Sequence, residues 1–326
     1  MVTAWPISHE DVLAARERIA PHLPPTPLRS YPALDEAIGH GLRVLVKHEN
    51  FQPTGAFKVR NALSALTALG AEERRRGVVA ATRGNHGLGL AWAGARLGIP
   101  VTVCVPLGNN PEKNAAVRGL GARLVEEGRD YDESVKTAER LTAEEGLHLV
   151  HSTNDREVVA GAGTLTLEML EQAPELSALV LSVGGGSQAV GALTVVRGRQ
   201  GRVPVYAVQA RGASAIHDAW HLGRPVSTPT ADTIADGLAT RNTYPFTFGA
   251  LREGLAGFLT VTDAQIAEAV RLVLSTTHTL VEGAGAAGLA GLLALRETLA
   301  GRAVGIVLSG GNIDQALLRR ILNGGI

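Results

Sequence analysis

The stretch Leu179-Val-Leu-Ser-Val-Gly-Gly-Gly-Ser-Gln-Ala-Val-Gly191 joins an apolar segment to a helical pattern through three consecutive glycines. The apolar part predicts a buried strand, and Ser187 stands where the following helix should begin. Glycines let backbone N–H groups converge on an anion, and a helix N-terminus adds partial positive charge. The stretch therefore predicts either a phosphate cradle or a tight strand–helix turn without a ligand. Its spacing matches neither a P-loop nor a dinucleotide-binding fingerprint.

The same alternation of strand and helix extends along the chain. Short β-branched runs predict strands at residues 42–47, 77–81, 101–105, 123–125, 148–150, 179–183, 203–208 and 303–308. Amphipathic stretches predict helices at residues 55–68, 87–97, 110–120, 134–145, 161–172 and 187–197. Near-continuous apolar strands separated by helices are typical of parallel sheets covered on both faces. The predicted fold is therefore a three-layer α/β protein.

The spacing of these strands predicts two lobes. We expect residues 67–151 to form a small mobile domain, and residues 1–66 together with 152–326 to form a larger domain that binds the ligand. A cleft between two lobes is a common place for a small-molecule site. Small residues dominate from 283 to 291, which suits close packing of a helix on a sheet or on a ligand.

Composition excludes several kinds of partner. The 326 residues carry 31 basic and 31 acidic side chains, so nothing indicates the basic excess that nucleic acid or an anionic membrane requires. Cys104 is the single cysteine, which excludes an intramolecular disulfide and predicts a buried core residue. No signal peptide is evident, and every apolar run is shorter than the ~18 residues of a membrane span. We therefore expect a cytoplasmic protein.

Lysine is scarce, and one lysine has an unusual setting. The four lysines are Lys47, Lys58, Lys113 and Lys136. Lys58 ends the motif Thr54-Gly-Ala-Phe-Lys58, at the point where a strand has turned into a helix. An apolar pocket near a helix N-terminus lowers the pKa of a lysine and favours Schiff-base chemistry. This setting favours a reactive Lys58 over a lysine that extends along the surface.

Two further loops follow predicted strands. They contain Thr82-Arg-Gly-Asn-His86 and Ser309-Gly-Gly-Asn312, which are rich in glycine and in hydrogen-bonding side chains. The carboxyl ends of parallel strands meet at one edge of a sheet, where ligands bind. We therefore expect these loops, the glycine loop at 184–187 and Lys58 to form one site.

Together these motifs resemble those of the fold type II pyridoxal-phosphate enzymes, which share a tryptophan synthase β-like fold. The resemblance rests on residues 54–58, 82–86, 184–187, Thr233-Ile-Ala-Asp-Gly237 and 309–312, in the order and spacing of that family. The branch that looks nearest is that of the serine/threonine dehydratases (threonine ammonia-lyases) and serine racemases. The resemblance implies pyridoxal 5′-phosphate as cofactor and conversion of threonine or serine to a 2-oxo acid and ammonia. It implies a homodimer as well.

The resemblance also implies a role for each motif residue. Lys58 would carry the cofactor as a Schiff base and remove the α-proton of the substrate, and the cofactor phosphate would protonate the leaving hydroxyl. The other residues expected at the cofactor are Phe57 against the ring, Asn85 at the 3′-oxygen, Gly237 near the ring, Ser309 at the pyridine nitrogen, and Gly184, Gly185, Gly186 and Ser187 at the phosphate. The residues expected around the substrate α-carboxylate are Thr82, Arg83, Gly84 and His86.

Two residues depart from the pattern of that family. Arg83 replaces the usual serine or alanine, and because the racemases use a serine there, racemase activity is disfavoured. Arg83 could bind a second anionic group, as in a hydroxy-aspartate or a hydroxyectoine-derived substrate, or it could point outward and pair with a surface acid. Gln209 stands where metal-binding relatives carry a glutamate ligand, so we expect no metal.

Two other classes of protein compete with this interpretation. A non-catalytic carrier of the same fold would not need Lys58, Asn85 and Ser309 together, and the glycine spacing disfavours a nicotinamide dehydrogenase. Glu282 could lie near the cofactor or act as a helix-cap acid, and we leave it outside the predicted site.

Overall fold

A computed structural model of the protein describes residues 5–199 and 203–326. Its strands are β1 (Leu28–Ser30), β2 (Arg43–His48), β3 (Val78–Ala81), β4 (Val101–Val105), β5 (Arg123–Glu126), β6 (His148–Leu149), β7 (Ala178–Ser182), β8 (Val205–Ala210), β9 (Gly257–Val261) and β10 (Ala303–Leu308). Its helices are α1 (His9–Ile19), α2 (Pro32–Ile38), α3 (Lys58–Ala68), α4 (Ala71–Arg76), α5 (Asn85–Leu97), α6 (Pro111–Gly119), α7 (Tyr131–Glu145), α8 (Arg156–Gln172), α9 (Ser187–Gly198), α10 (Ala215–Leu222), α11 (Pro245–Gly254), α12 (Asp263–Thr277), α13 (Gly283–Leu295) and α14 (Gln315–Leu322).

The strands form two sheets. The larger has the order β1-β2-β10-β7-β8-β9 and the smaller has the order β5-β4-β3-β6. Every pairing is parallel except that of β1 with β2. Apolar side chains from helices cover both faces of each sheet. The predicted α/β class with parallel sheets is confirmed.

The eight predicted strands are all present, with ends that differ by a few residues, but β1 and β9 were not predicted. β1 has only three residues and its side chains are largely exposed, so it lacks the apolar run that marks the central strands. β9 has five residues, begins with a glycine and buries only Phe258 and Val261. Both lie at the edges of the larger sheet, where one face or side is open.

Three predicted helix starts were wrong by three residues or more, and one of them is that of α7, which begins at Tyr131 and not at Ser134. Helix α3 begins at Lys58 and not at Gly55, because Gly55 has a φ of 66° and Ala56 forms a β-bridge with Gly310. Helix α8 begins at Arg156, five residues earlier than predicted, where the Asp155 side chain accepts hydrogen bonds from the first-turn N–H groups.

Small residues set the close approaches of the helices. On α13, a Cβ at Gly288 would lie 3.1 Å from the carbonyl oxygen of Val180 in β7, so this helix packs directly on the sheet, which is one of the two alternatives left open by the sequence. Around α3, a Cβ at Gly89 would lie 2.8 Å from the carbonyl oxygen of Lys58, and a Cβ at Gly161 would lie 2.6 Å from that of Arg60. The first turn of α3 is therefore held between α5 and α8.

The two sheets meet at the carboxyl ends of their strands. Strands β3 to β6 come from residues 78–149, and the other six strands come from the rest of the chain. Helix α3 packs against α5 beside the smaller sheet and against α8 beside the larger one. Whether residues 67–151 move as a unit stays a prediction.

Candidate active site

One pocket between the two sheets brings together every residue predicted for the site. Its lining includes Phe57, Lys58, Thr82, Arg83, Gly84, Asn85, His86, Gly184, Gly185, Gly186, Ser187, Gly237 and Ser309. These residues come from five separate loops or helix starts. The structure therefore joins motifs that the sequence places up to about 250 positions apart.

Lys58 is the first residue of α3 and lines the pocket. Burial lowers the pKa of its amine from 10.5 to about 8. Its Nζ atom lies 4.8 Å from the centre of the Phe57 ring, and it has no hydrogen-bond or ion-pair partner among residues 5–199 and 203–326. An amine with this pKa is substantially deprotonated at neutral to mildly alkaline pH, which is the state that acts as a nucleophile or base.

The glycine loop lies between β7 and α9. Gly186 has a φ of 100°, a backbone conformation that favours glycine, and a Cβ at Gly184 or Gly185 would overlap the carbonyl of Gly237 or the Thr153 side chain. Helix α9 begins immediately afterwards at Ser187. The loop therefore directs backbone N–H groups and a helix N-terminus at the pocket, which suits an anion.

The turn before Lys58 is pinned to the loop after β10. The Phe57 N–H donates to the Ser309 carbonyl oxygen at 2.9 Å, and the Gly311 N–H donates to the Gly55 carbonyl oxygen at 2.8 Å. Ser309 is buried, and its hydroxyl has no hydrogen-bond partner in the described part of the chain. These contacts fix Ser309 and Lys58 at one end of the pocket.

Asn85 belongs to a chain of side chains that includes a residue outside the predicted site. Its Nδ2 donates to Glu282 Oε1 at 2.6 Å, and its Oδ1 accepts from Asn312 Nδ2 at 2.8 Å. Burial raises the pKa of Glu282 to about 6. Glu282 is the N-cap residue of α13, but its side chain makes no capping hydrogen bond and instead accepts from Asn85. No local signal identifies this contact, because it joins residues 197 positions apart.

The loop at 82–86 forms the N-terminus of α5. The Gly84 N–H donates to Thr82 Oγ1 at 3.0 Å. The ring of His86 is buried, with Nε2 3.1 Å from the Val150 carbonyl oxygen, and burial lowers its pKa to about 3, so the ring is neutral. Arg83 is exposed at the pocket and, within the described chain, makes no hydrogen bond or ion pair. The pairing of Arg83 with a surface acid is therefore not observed.

Further polar residues of the pocket were not among the predicted site residues. They include Lys113, Tyr131, Ser152, Thr153, Asp236, Thr240, Tyr244 and Glu282. Lys113 Nζ donates to Asp236 Oδ2 at 2.8 Å. Asp236 belongs to the motif at 233–237, and Glu282 was considered but left outside the site. The others belong to no recognisable short motif, and only the packing of the chain brings them to the pocket.

Gln209 and Cys104, both singled out in the sequence, do not line the pocket. The Gln209 side chain is buried and accepts from the His217 N–H at 3.0 Å. Residues 5–199 and 203–326 contain no group of three metal-binding side chains and no helix that could cross a membrane. Cys104 is fully buried in β4, and burial raises its pKa to about 11, so it is a core residue as predicted.

A lysine amine of lowered pKa facing a glycine loop at a helix N-terminus defines a class of enzyme. Such a site holds a phosphorylated cofactor by its anion and attaches the reactive carbon to the amine. Residues 19–310 match the family described as "Pyridoxal-phosphate dependent enzyme", and the chain belongs to this family. It is a pyridoxal-phosphate-dependent enzyme.

Individual relatives narrow the comparison. The chain is 37% identical to an L-threonine ammonia-lyase of Geobacter sulfurreducens, over 88% of this chain and 71% of the relative. It is 32% identical to an L-threo-3-hydroxyaspartate ammonia-lyase of Saccharomyces cerevisiae, over 97% of both chains. The crystal structure of a T.th. threonine deaminase superposes with a TM-score of 0.88 at 36% identity, covering 94% of this chain and 99% of that one.

Proposed function

We propose that this protein is an ammonia-lyase that converts a β-hydroxy amino acid, threonine or serine, to a 2-oxo acid and ammonia. The observation that carries the proposal is the amine of Lys58, whose pKa is lowered to about 8 in a pocket that also contains the glycine loop. Such an amine can take a proton from the substrate α-carbon near neutral pH. The threonine ammonia-lyases and threonine deaminase among the relatives support this activity.

The side chains of the pocket fit pyridoxal phosphate. Lys58 Nζ, Ser187 Oγ and Ser309 Oγ each lack a partner within the described residues, and all three residues line the pocket together with the glycine loop. We assign the phosphate to Gly184, Gly185, Gly186 and Ser187. We assign the pyridine nitrogen to Ser309, the ring faces to Phe57 and Gly237, and the 3′-oxygen to Asn85. The Asn85 Nδ2 atom carries two hydrogens, so one remains free beside its bond to Glu282.

The protein residues divide the work of the reaction. Bound pyridoxal phosphate supplies an electron-accepting ring next to the substrate α-carbon. Lys58 takes and holds the α-proton. The N–H groups at the start of α5, with Thr82, bind and orient the α-carboxylate. Ser309 would hold the ring nitrogen more weakly than a carboxylate, so the ring would accept electrons less strongly, which suits loss of the β-hydroxyl.

A spectrum of the purified protein tests the proposal. We expect visible absorbance that disappears on borohydride treatment, with the label on Lys58 by peptide mass spectrometry, and 2-oxo acid release from threonine or serine. The variant Lys136→Arg is the matched control, because Lys136 is exposed and outside the pocket. A colourless protein that pyridoxal phosphate does not restore, or a loaded protein that releases no 2-oxo acid, would contradict the proposal.

A second candidate substrate is 3-hydroxyaspartate. Arg83 lines the pocket, is exposed and has no partner in the described chain, so it can bind a second carboxylate with its planar guanidinium. A hydroxyectoine-derived amino acid is another possibility, whereas racemisation is disfavoured because position 83 carries no serine. We expect Arg83→Ala to lower kcat/KM for 3-hydroxyaspartate at least tenfold more than for threonine and serine. Equal losses for all three substrates would contradict a second-anion contact.

We also propose the organisation in which the enzyme works. Residues 67–151 would form a mobile domain over the larger domain of residues 1–66 and 152–326, and two chains would form a homodimer in the cytoplasm.

Exposed Phe51 and Leu280 support a protein interface near Asn50, whose side chain bonds the Leu280 carbonyl oxygen. The balanced charge supports a small-molecule partner rather than nucleic acid or membrane. Sedimentation at micromolar concentration tests the dimer, and a monomer would contradict it.

A further inference from the structure

Tyr244 is a pocket residue with no role in the mechanism described so far. It directly precedes α11 and is 9% exposed, and its side chain lines the pocket. Its hydroxyl has no hydrogen-bond partner among residues 5–199 and 203–326. Burial raises the pKa of this phenol, so it keeps its proton throughout the physiological range and acts as a donor.

The position of the Tyr244 ring is fixed by its surroundings. The Tyr244 carbonyl oxygen accepts from the Phe248 N–H at 3.0 Å, and Thr247 Oγ1 donates to the Gly185 carbonyl oxygen at 2.9 Å, which ties α11 to the glycine loop. The His151 ring packs edge-on against Tyr244, with ring centres 5.8 Å apart. The phenol is therefore a rigid donor beside the phosphate end of the pocket.

The Tyr244 hydroxyl faces the pocket without a protein partner, so it is free to donate to an acceptor that a ligand supplies. Other groups of the pocket without a partner among the described residues are Lys58, Ser187 and Ser309, assigned above to the cofactor, Arg83, and the buried Thr240 Oγ1 and Gln188 Nε2. Tyr131 lines the same pocket, but its hydroxyl lies 3.5 Å from Ser152 Oγ and so already has a neighbour. Tyr244 is therefore a phenol with an unused proton, and a phenol is a stronger acid than the Thr240 alcohol or the Gln188 amide.

We propose that Tyr244 is a catalytic residue that donates its proton to the β-oxygen of the amino acid substrate as the Cβ–O bond breaks. This proposal rests on the proposed function. The electron pair of the Cα–H bond becomes the second Cα–Cβ bond, and Lys58 receives the proton. The pair of the Cβ–O bond leaves with the oxygen, which takes the phenol proton and departs as water. Lys58 then returns its proton to the Tyr244 phenolate, directly or through the released water, so both groups regain their starting state.

The chemistry of the leaving group supports a donor at this place. Hydroxide is a poor leaving group, because its conjugate acid, water, has a pKa of about 15.7, so even a phenol of raised pKa can protonate it. A positioned general acid typically contributes about 10²–10⁴ in rate. The resemblance assigns this proton to the cofactor phosphate instead. Chloride departs without a proton, so a substrate with chloride as leaving group does not need a general acid. Comparing it with a hydroxyl substrate therefore tests the general acid separately from the other functions of the site.

The test compares serine with β-chloroalanine in the variant Tyr244→Phe, with the pyridoxal phosphate-loaded enzyme. We expect kcat with serine to fall about 100-fold and kcat with β-chloroalanine to change less than threefold. The matched control is Tyr131→Phe, for which we expect the ratio of the two rates to stay within threefold of that of the wild type. Cofactor absorbance and borohydride labelling of Lys58 should be unchanged in Tyr244→Phe, which also shows that the variant is folded.

Each other outcome has a distinct meaning. Equal losses with both substrates, or no loss with either, would overturn the role of Tyr244 and leave the proton to the phosphate. Weaker retention of pyridoxal phosphate by Tyr244→Phe would show that the phenol binds the phosphate, and this also overturns the proposal. If the loaded wild-type enzyme released no 2-oxo acid from either substrate, the proposed function would fail and the role of Tyr244 with it.

Discussion

At the scale of single residues, burial makes the amine of Lys58 more reactive and at the same time lowers the stability of the folded protein. Burial without a partner disfavours the protonated form, and this is what lowers the pKa to about 8. The same burial destabilises the folded protein as long as the lysine remains protonated. A reactive lysine is thus expected to lower the free energy of unfolding of the cofactor-free protein.

Replacing this lysine should therefore stabilise the protein in a pH-dependent way. Below pH 8 the unfolded chain holds the Lys58 proton more tightly than the folded one, so Lys58→Met should raise the free energy of unfolding by roughly 2–3 kcal/mol. The gain should shrink as the pH rises from 8 towards 10.5, because the lysine of the wild type then loses its proton in both states. Urea unfolding of the cofactor-free proteins at pH 6.5 and pH 10 measures the difference.

The control for this prediction is Lys136→Met, which changes an exposed lysine and should alter the free energy of unfolding by less than about 0.5 kcal/mol at both pH values. A gain at Lys58 that is the same at pH 6.5 and pH 10 would mean that better packing of methionine, and not the desolvated charge, is its source.

At the scale of elements, a buried charge cluster formed by Lys47, Glu49, Arg60 and Glu168 holds the helix that carries Lys58. Arg60 Nε donates to Glu49 Oε2 at 2.8 Å and Arg60 Nη1 donates to Glu168 Oε1 at 2.6 Å, while Lys47 Nζ donates to Glu168 Oε2 at 2.7 Å. These side chains come from β2, the turn after it, α3 and α8. The cluster contains two cations and two carboxylates, so its charges balance inside the core.

Breaking this cluster should be costly. Arg60→Met removes one cation and leaves two carboxylates facing the single charge of Lys47, so we expect a loss of about 3–5 kcal/mol in the free energy of unfolding. Arg16→Met removes a partner from the exposed Arg16–Glu171 pair, and its loss should stay below about 1 kcal/mol. Denaturant unfolding of both variants at pH 7 measures the two losses, and similar values would contradict a special role for the buried cluster.

At the scale of the whole molecule, polar contacts link the part of the chain that carries the smaller sheet to the part that carries the larger one. Besides the Lys113–Asp236 ion pair, Asn110 Nδ2 at the start of α6 donates to Asp314 Oδ2 at the start of α14, at 3.2 Å. Asp236 is 64% exposed, so its ion pair with Lys113 is worth little in stability. Contacts of this kind can hold the pocket closed while still allowing it to open.

Loosening one of these contacts should change dynamics more than stability. We expect Asp236→Asn to change the free energy of unfolding by less than about 1 kcal/mol and to speed amide hydrogen exchange in α6 at least twofold. The mass-spectrometric exchange of peptides from α2, which lies outside the pocket, serves as the internal control. Unchanged exchange in α6 would show that the ion pair does not restrain this helix.

The sequence by itself determined the parts of this protein that local pattern encodes. The alternation of apolar strands and helices defined the α/β class. Short local motifs marked the glycine loop, the turn before α3 and the loops after β3 and β10. Lys58 could be chosen from four lysines because the turn before it and the helix after it are both visible in adjacent residues. The short edge strands β1 and β9 escaped prediction because they lack a buried apolar run.

Only the tertiary structure decided which distant residues complete the site. Glu282 is 197 positions from Asn85 in the sequence, and Asn312 is 227 positions from it. Neither hydrogen bond can therefore be predicted from adjacent residues. The unused hydroxyl of Tyr244, the unpaired Arg83 and the balanced charge cluster around Arg60 are likewise properties of packing. The physical reason is that hydrogen bonding, burial and charge balance depend on which side chains become neighbours in space, and the folded chain alone settles that.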